Sequence, residues 1–194
     1  MLQLEAINRN FALWQEKLAS NGCSVDELVK VYGEQIKVAS FGMGNDSGAA
    51  YPGAMINTVL RKICKYAVNL NKQLPAEIGV DVKSLVKVCL LQHISKALMY
   101  RLNDNPNIRS KYLFVDNGNY VLKGGELSIV MCMRCGIIFD EVEYEAMTIL
   151  DKEFDQKKEA FTNKLGIIVR LANQMANLEL REERKLIKKN NGKG

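Results

Sequence analysis

Apolar residues in this chain recur mostly at three- and four-residue steps, the spacing that gathers them on one face of a helix. Leu4, Ile7, Phe11, Trp14 and Leu18 predict a first helix over 4–18, closed by Asn21-Gly22. Ser24 stands three residues before Glu27, a pattern that predicts a capping box opening a second helix to about Ala39. The stretch Phe41 to Gly48 is a glycine-bearing connector and lacks the Gly-Lys-Ser/Thr ending of a phosphate-binding loop. Beyond Pro52, the positions of Met55, Val59, Ile63, Tyr66, Ala67 and Leu70 predict a long helix that ends before Leu74-Pro75. Asp81 is placed to cap the next helix, expected to reach about Arg101, where Asn103-Asp104-Asn105-Pro106-Asn107 breaks it.

One β pattern interrupts this series. Tyr112–Val115 and Asn119–Leu122 flank Asp116-Asn117-Gly118, and Asn-Gly adopts the positive φ of a tight hairpin turn. Helical spacing then returns over Glu126–Cys135, and over Glu141–Leu150 behind a capping Asp140. Residues 151–164 are charged and read as partly irregular; a last helix from about Asn163 carries Leu165, Ile168, Val169, Ala172, Met175, Ala176 and Leu180. The fold class is therefore all-α, a mainly helical bundle with one small β-hairpin. A single domain over 1–194 is expected, with the helices and loop of 1–48 packed on the body and a flexible basic tail over 181–194.

Composition agrees with one packed core: 47% of residues are hydrophobic and only three are proline. Net charge is +5, and much of it gathers where Arg181, Arg184, Lys185, Lys188, Lys189 and Lys193 outweigh Glu182 and Glu183. No aromatic residue interleaves with these charges to stack a base, which disfavours nucleic acid as the partner. A protein partner engaging the last helix and tail, or a homo-oligomer, is the interaction alternative. The start, Met1-Leu2-Gln3-Leu4-Glu5, lacks a basic region before an apolar core, and no stretch approaches the roughly eighteen apolar residues of a span. A soluble, cytoplasmic protein without a membrane partner is expected.

Five cysteines is an odd number, and Cys64 and Cys89 lie inside apolar helical patterns, as reduced core residues do. Cys132-Met133-Arg134-Cys135 has the spacing of a zinc or redox pair but no second pair to complete a site. His93 is the chain's one histidine and sits with Lys96 in the apolar run Leu90–Tyr100. Any serine or cysteine nucleophile would need it as a base, and no nucleophile elbow accompanies it. Asp46, Asp116, Glu126 and Asp155 fall in or near loops, with no spacing that marks two of them as an acid–base pair.

Several short patterns nonetheless occur in a telling order. Leu90-Leu91-Gln92-His93-Ile94-Ser95-Lys96-Ala97 resembles the L-L-H-D-x-x-K-A signature of the small bacterial and phage HD-domain phosphohydrolases. Upstream, Tyr51-Pro52-Gly53-Ala54-Met55-Ile56-Asn57-Thr58-Val59-Leu60 is similar to that family's Y-E-G-G-L-x-E-H-S-L helix. Downstream, Lys123-Gly124-Gly125-Glu126-Leu127-Ser128 resembles G-H-G-E-x-S. Glu145-Ala146-Met147-Thr148-Ile149-Leu150-Asp151 with Phe154-Asp155 resembles E-A-x-x-I-R-W-H-M-G-x-F-D, and Val169–Ala176 resembles L-H-x-A-D-M-x-A. The likeness covers roughly Ala49 to Glu183.

That resemblance implies an HD-like helical bundle. In the family, histidines and aspartates hold a divalent metal whose activated water attacks a phosphate ester. At the corresponding places this chain has Thr58, Gln92, His93, Gly124, Leu150 and Asn173. A single imidazole among neutral side chains does not hold a divalent ion, because functional sites use about three protein ligands or more. Neither metal nor other cofactor is expected. The implied function is that of a catalytically inactive HD-like protein, a binding or structural module. Its vestigial pocket, with Lys96 as an anion contact, would take a nucleotide or another phosphorylated small molecule. The enzyme alternative is a divergent metal-dependent phosphohydrolase that uses His93 with carboxylates from Asp46, Asp151 or Asp155.

Overall fold

Eight α-helices, one π-helical segment and a short two-stranded ladder make up the described part of the computed structural model, which covers residues 4–41, 51–102, 112–114, 122, 124–148 and 163–191. Helix α1 (Leu4–Ala19) buries Ile7, Trp14 and Leu18, as its spacing requires. It stops at Gly22, whose φ of 80° is a left-handed conformation that glycine adopts without a Cβ penalty. Helix α2 (Asp26–Val38) follows, but the capping box expected from Ser24 does not form. The Ser24 hydroxyl donates instead to Asp26 Oδ2 at 2.8 Å, a local bond that competes with the cap and leaves Val25 at the helix entrance.

The long helix after Pro52 forms in two parts. Met55–Leu60 is π-helical and passes directly into α3 (Arg61–Gln73). Met55, Ile56, Val59 and Leu60 are all buried on this segment, at positions i, i+1, i+4 and i+5 that share one face. After α3, the side-chain amide of Asn71 pins the connecting loop: its Nδ2 donates to the Val80 carbonyl and its Oδ1 accepts from the Val80 N–H, both at 2.9 Å. Asp81 then caps α4 (Val82–Leu91), accepting from the Ser84 N–H at 2.8 Å.

The expected continuous helix to Arg101 is broken. α4 ends at Leu91, residues 92–95 form a turn, and α5 (Lys96–Met99) is one further turn of helix. Bonds from Ile94 N to Leu91 O and from Lys96 N to His93 O, at 3.1 and 3.0 Å, show the chain tightening to i→i+3 spacing there. β1 (Tyr100–Leu102) follows and pairs antiparallel with β2 (Tyr112–Phe114), Arg101 opposite Leu113. The hairpin expected around Asn117-Gly118 is not seen among the described residues. Tyr112–Phe114 takes its partner from upstream, and the Asn-Gly turn lies outside the described residues.

α6 (Gly124–Arg134) and α7 (Glu141–Thr148) lie close to the predicted bounds. Asp140 and Glu143 form a reciprocal capping box: Asp140 Oδ1 accepts from the Glu143 N–H at 2.8 Å, and Glu143 Oε2 accepts from the Asp140 N–H at 3.2 Å. α8 (Lys164–Asn191) opens on Asn163, whose Oδ1 accepts from the Gly166 N–H at 3.0 Å. Its 28 residues continue through most of the basic segment expected to form a tail. The connector 42–50 and the stretch 149–162 lie outside the described residues.

α3 is the centre of the packing, making its largest contact with α8 and its next largest with α4. Buried side chains from α1 to α8 join in one apolar cluster, in which Leu28, Leu60, Leu85 and Leu91 are fully shielded. Each such leucine contributes roughly 2–3 kcal/mol relative to exposure. Trp14 Nε1 donates to the Leu90 carbonyl at 3.1 Å, tying α1 to the end of α4. No helix among the described residues is long and apolar enough to cross a membrane.

Candidate functional site

The break after α4 brings three of the sequence-selected residues together. Gln92 is fully buried; its Nε2 donates to the Cys89 carbonyl at 3.2 Å, which leaves Oε1 as an acceptor. Asn173 of α8 supplies the donor, Nδ2, at 3.0 Å, and the same nitrogen donates to the Val169 carbonyl at 2.8 Å. With both amides oriented, Asn173 Oδ1 faces His93 Nε2 at 3.2 Å. An amide oxygen only accepts, so the imidazole carries its proton on Nε2.

The ring of His93 packs edge-on against Phe41, centroid to centroid 5.0 Å. Burial pushes its pKa down to about 4; the hydrogen bond to Asn173 acts in the opposite sense, and the Lys96 ammonium adds to the lowering. The histidine is thus neutral at physiological pH. Lys96 itself lies with Nζ 5.7 Å from the centroid of the same Phe41 ring, within cation–π range.

A second polar group adjoins the first. The Ser95 N–H donates to Ser128 Oγ at 3.1 Å, and Ser95 Oγ donates to the Gly124 carbonyl at 2.8 Å. Ser128 Oγ lies 3.0 Å from the Gln92 carbonyl and 2.9 Å from that of Gly124. The two serines, both fully buried, therefore lock the turn 92–95 onto the start of α6. Gly124 contributes through its backbone.

Thr58 stands apart in its bonding. On the π-helical segment it is hydrogen-bonded to the Tyr51 hydroxyl, and no bond described for it reaches Gln92, His93 or Asn173. Leu150 lies outside the described residues, as do Asp46, Asp151 and Asp155. Among the described residues no three His, Cys, Asp or Glu side chains are gathered as metal ligands. The residues present do not fit a divalent ion: the amides of Gln92 and Asn173 are bonded to each other and to main-chain carbonyls, and one neutral imidazole is all that remains.

Nor does the cysteine pair offer chemistry. All five cysteines are free. Cys132 is buried in α6 and Cys135 lies just past its end; desolvation raises both thiols, the opposite of what a reactive thiolate requires.

Phe41, Ser95 and Ser128 were not singled out by sequence reasoning. Ser95 and Ser128 both fall inside motifs that were, and a continuous helix over 82–101 would have hidden the role of Ser95. No family model matches the chain, and no curated protein or solved structure shows significant similarity to it.

Proposed function

We propose that this chain is a catalytically silent helical module of HD-like ancestry, working as a scaffold or binding protein and not by turnover. On this reading the hydrogen-bonded series His93–Asn173–Gln92 takes the structural place that a metal and its ligands hold in the phosphohydrolases it resembles, holding α4 against α8. The observation that carries the reading is that series itself: each polar atom described in it is engaged with a neutral partner. General-base catalysis favours a pKa near the working pH, and a group titrating near 4 with its Nε2 proton held by an amide oxygen is poorly suited to it.

Elemental analysis of protein purified without chelator, coupled to phosphomonoester and nucleotide hydrolysis assays with added manganese, cobalt or nickel, tests the proposal. The expected result is substoichiometric metal and no turnover above that of His93→Ala. A bound transition metal that disappears in His93→Ala, together with turnover, would establish the divergent phosphohydrolase instead.

A further inference from the structure

A groove of about 590 Å³ opens beside α1 and α3 and shares no lining residue with the His93 cluster. Its volume is within the range of small-molecule sites. Leu90 and Trp14, 3% and 2% exposed, form its deepest part, and Leu13 and Val68 extend the apolar lining outward. Around this surface stand Lys17, Arg61, Lys62 and Lys65, and no lining residue is acidic. In a chain with 27 basic and 22 acidic residues, a concavity with only one sign of charge over an apolar floor is a local departure.

The four cations are not equivalent. Lys62 is already neutralised by Glu179 and Glu183, at 2.8 and 2.7 Å, so it forms a fixed wall. Arg61 is steadied by one hydrogen bond, donating to Asn10 Oδ1 at 3.0 Å. Lys17 and Lys65 are exposed and make no ion pair among the described residues, though Lys65, after the hydrogen bond from Lys62, also helps hold the Glu179 carboxyl below its usual range. A positive field from Lys17, Arg61 and Lys65 over a low-dielectric floor attracts anions and strengthens their binding.

One wall of the groove is polar. Asn57, on the π-helical segment, also lines the groove, and its Nδ2 is buried without a hydrogen-bond partner. It is backed by Gly53, φ 78°, where a Cβ would come within 2.7 Å of that nitrogen. π-helical segments of this kind occur often at functional sites.

We propose that this groove binds a small amphiphilic anion, a phosphate or carboxylate head on an apolar body. Lys17, Arg61 and Lys65 take the head, and Leu13, Val68 and Leu90 take the body. The buried Trp14 presents too little ring surface to stack a series of bases, which favours a compact ligand over a nucleic-acid strand. The inference does not depend on the proposed ancestry or on the state of His93.

Trp14 is the chain's single tryptophan, so its emission reports occupancy of the groove directly. The full chain is titrated with octyl phosphate below its micelle concentration, with inorganic phosphate and with octanol. Octyl phosphate is expected to give a saturable change at least about tenfold tighter than either fragment, a difference of about 1.4 kcal/mol. Lys17→Glu/Lys65→Glu should weaken it by about tenfold or more. Lys30→Glu/Lys83→Glu, the same change of charge on exposed residues outside the groove, should leave it within about twofold. Circular dichroism confirms that each variant is folded. The proposal is overturned by no saturable change up to millimolar ligand, by equal losses in the two double variants, or by inorganic phosphate binding as well as octyl phosphate. Tighter binding of a single-stranded oligonucleotide than of octyl phosphate, lost in Lys17→Glu/Lys65→Glu, would also overturn it in favour of a nucleic-acid site.

Discussion

Asn173 accepts a hydrogen bond from His93 at 3.2 Å, joining α8 to the turn after α4 through the only imidazole in the chain. The same amide donates to Gln92 Oε1, so truncating it strands a buried acceptor as well as a donor. Asn173→Ala is expected to cost about 2–6 kcal/mol, since each of the two orphaned groups costs about 1–3. Asn173→Asp should be no better at neutral pH. It keeps the acceptor for His93 but puts a carboxylate against Gln92 Oε1 and the Val169 carbonyl. Urea unfolding of both variants checks this, and wild-type stability in Asn173→Asp would mean that the amide orientation is wrong.

The state of His93 has a consequence for pH dependence. Its folded pKa of about 4 lies below the ordinary 6.5, so between those values the unfolded chain binds more protons than the folded one. Stability is therefore full above about pH 6.5, falls as the pH drops, and has lost this contribution entirely below about pH 4. The loss between pH 7 and pH 5 is about 2 kcal/mol. With no second histidine in the chain, His93→Gln should flatten the profile over that interval. Parallel profiles for wild type and variant would show that the ring titrates normally in the folded state.

Ser128 tests the other half of the cluster. Its hydroxyl accepts from the Ser95 N–H, and Ser128→Ala leaves that buried donor without its partner. A loss of about 1–3 kcal/mol is expected, with faster amide exchange at Ser95 as the local signature. Ser128→Thr keeps the hydroxyl and should lose less, the added methyl being its main cost. Unchanged exchange at Ser95 in the alanine variant would count against the lock.

These residues also show where sequence reasoning reached and where it stopped. Ile7, Trp14 and Leu18, or Ile168, Ala172 and Ala176, announce their helices because burial of one face imposes a period on the sequence. Asp81 and Asp140 announce helix starts because a cap needs a short polar side chain at a set distance from the first free N–H groups. The break at Gln92 had no such signature. Leu90, Leu91 and Ile94 satisfy helical spacing on either side of it, and what ends α4 is a tertiary network with Ser128 and Asn173, some 36 and 81 residues away. Nothing in spacing or periodicity marks Gln92, His93 and Asn173 as neighbours, since 80 residues separate the histidine from the asparagine. The groove along α3 went unnoticed, because Lys17 and Lys65 read as ordinary solvated lysines until α1 and α3 are set side by side.

Lys87 and Glu143 form the most buried of the described ion pairs, 2.5 Å apart, with the lysine 17% and the carboxylate 6% exposed. The lysine also donates to the Ile138 carbonyl at 2.6 Å and lies 4.8 Å from the Phe139 ring centroid, so it secures the start of α7 to α4. Lys87→Met would leave a carboxylate shielded from water, with the Asp140 N–H as its remaining described donor. That change is expected to cost about 3–5 kcal/mol. Lys87→Met/Glu143→Gln removes both charges while keeping an acceptor for the Asp140 N–H, and should recover at least half of the loss. The diagnostic is the order of stabilities in chemical unfolding: wild type highest, double variant next, Lys87→Met lowest. If the double variant were the least stable of the three, the damage in Lys87→Met would come from lost packing on Phe139 and not from the stranded carboxylate.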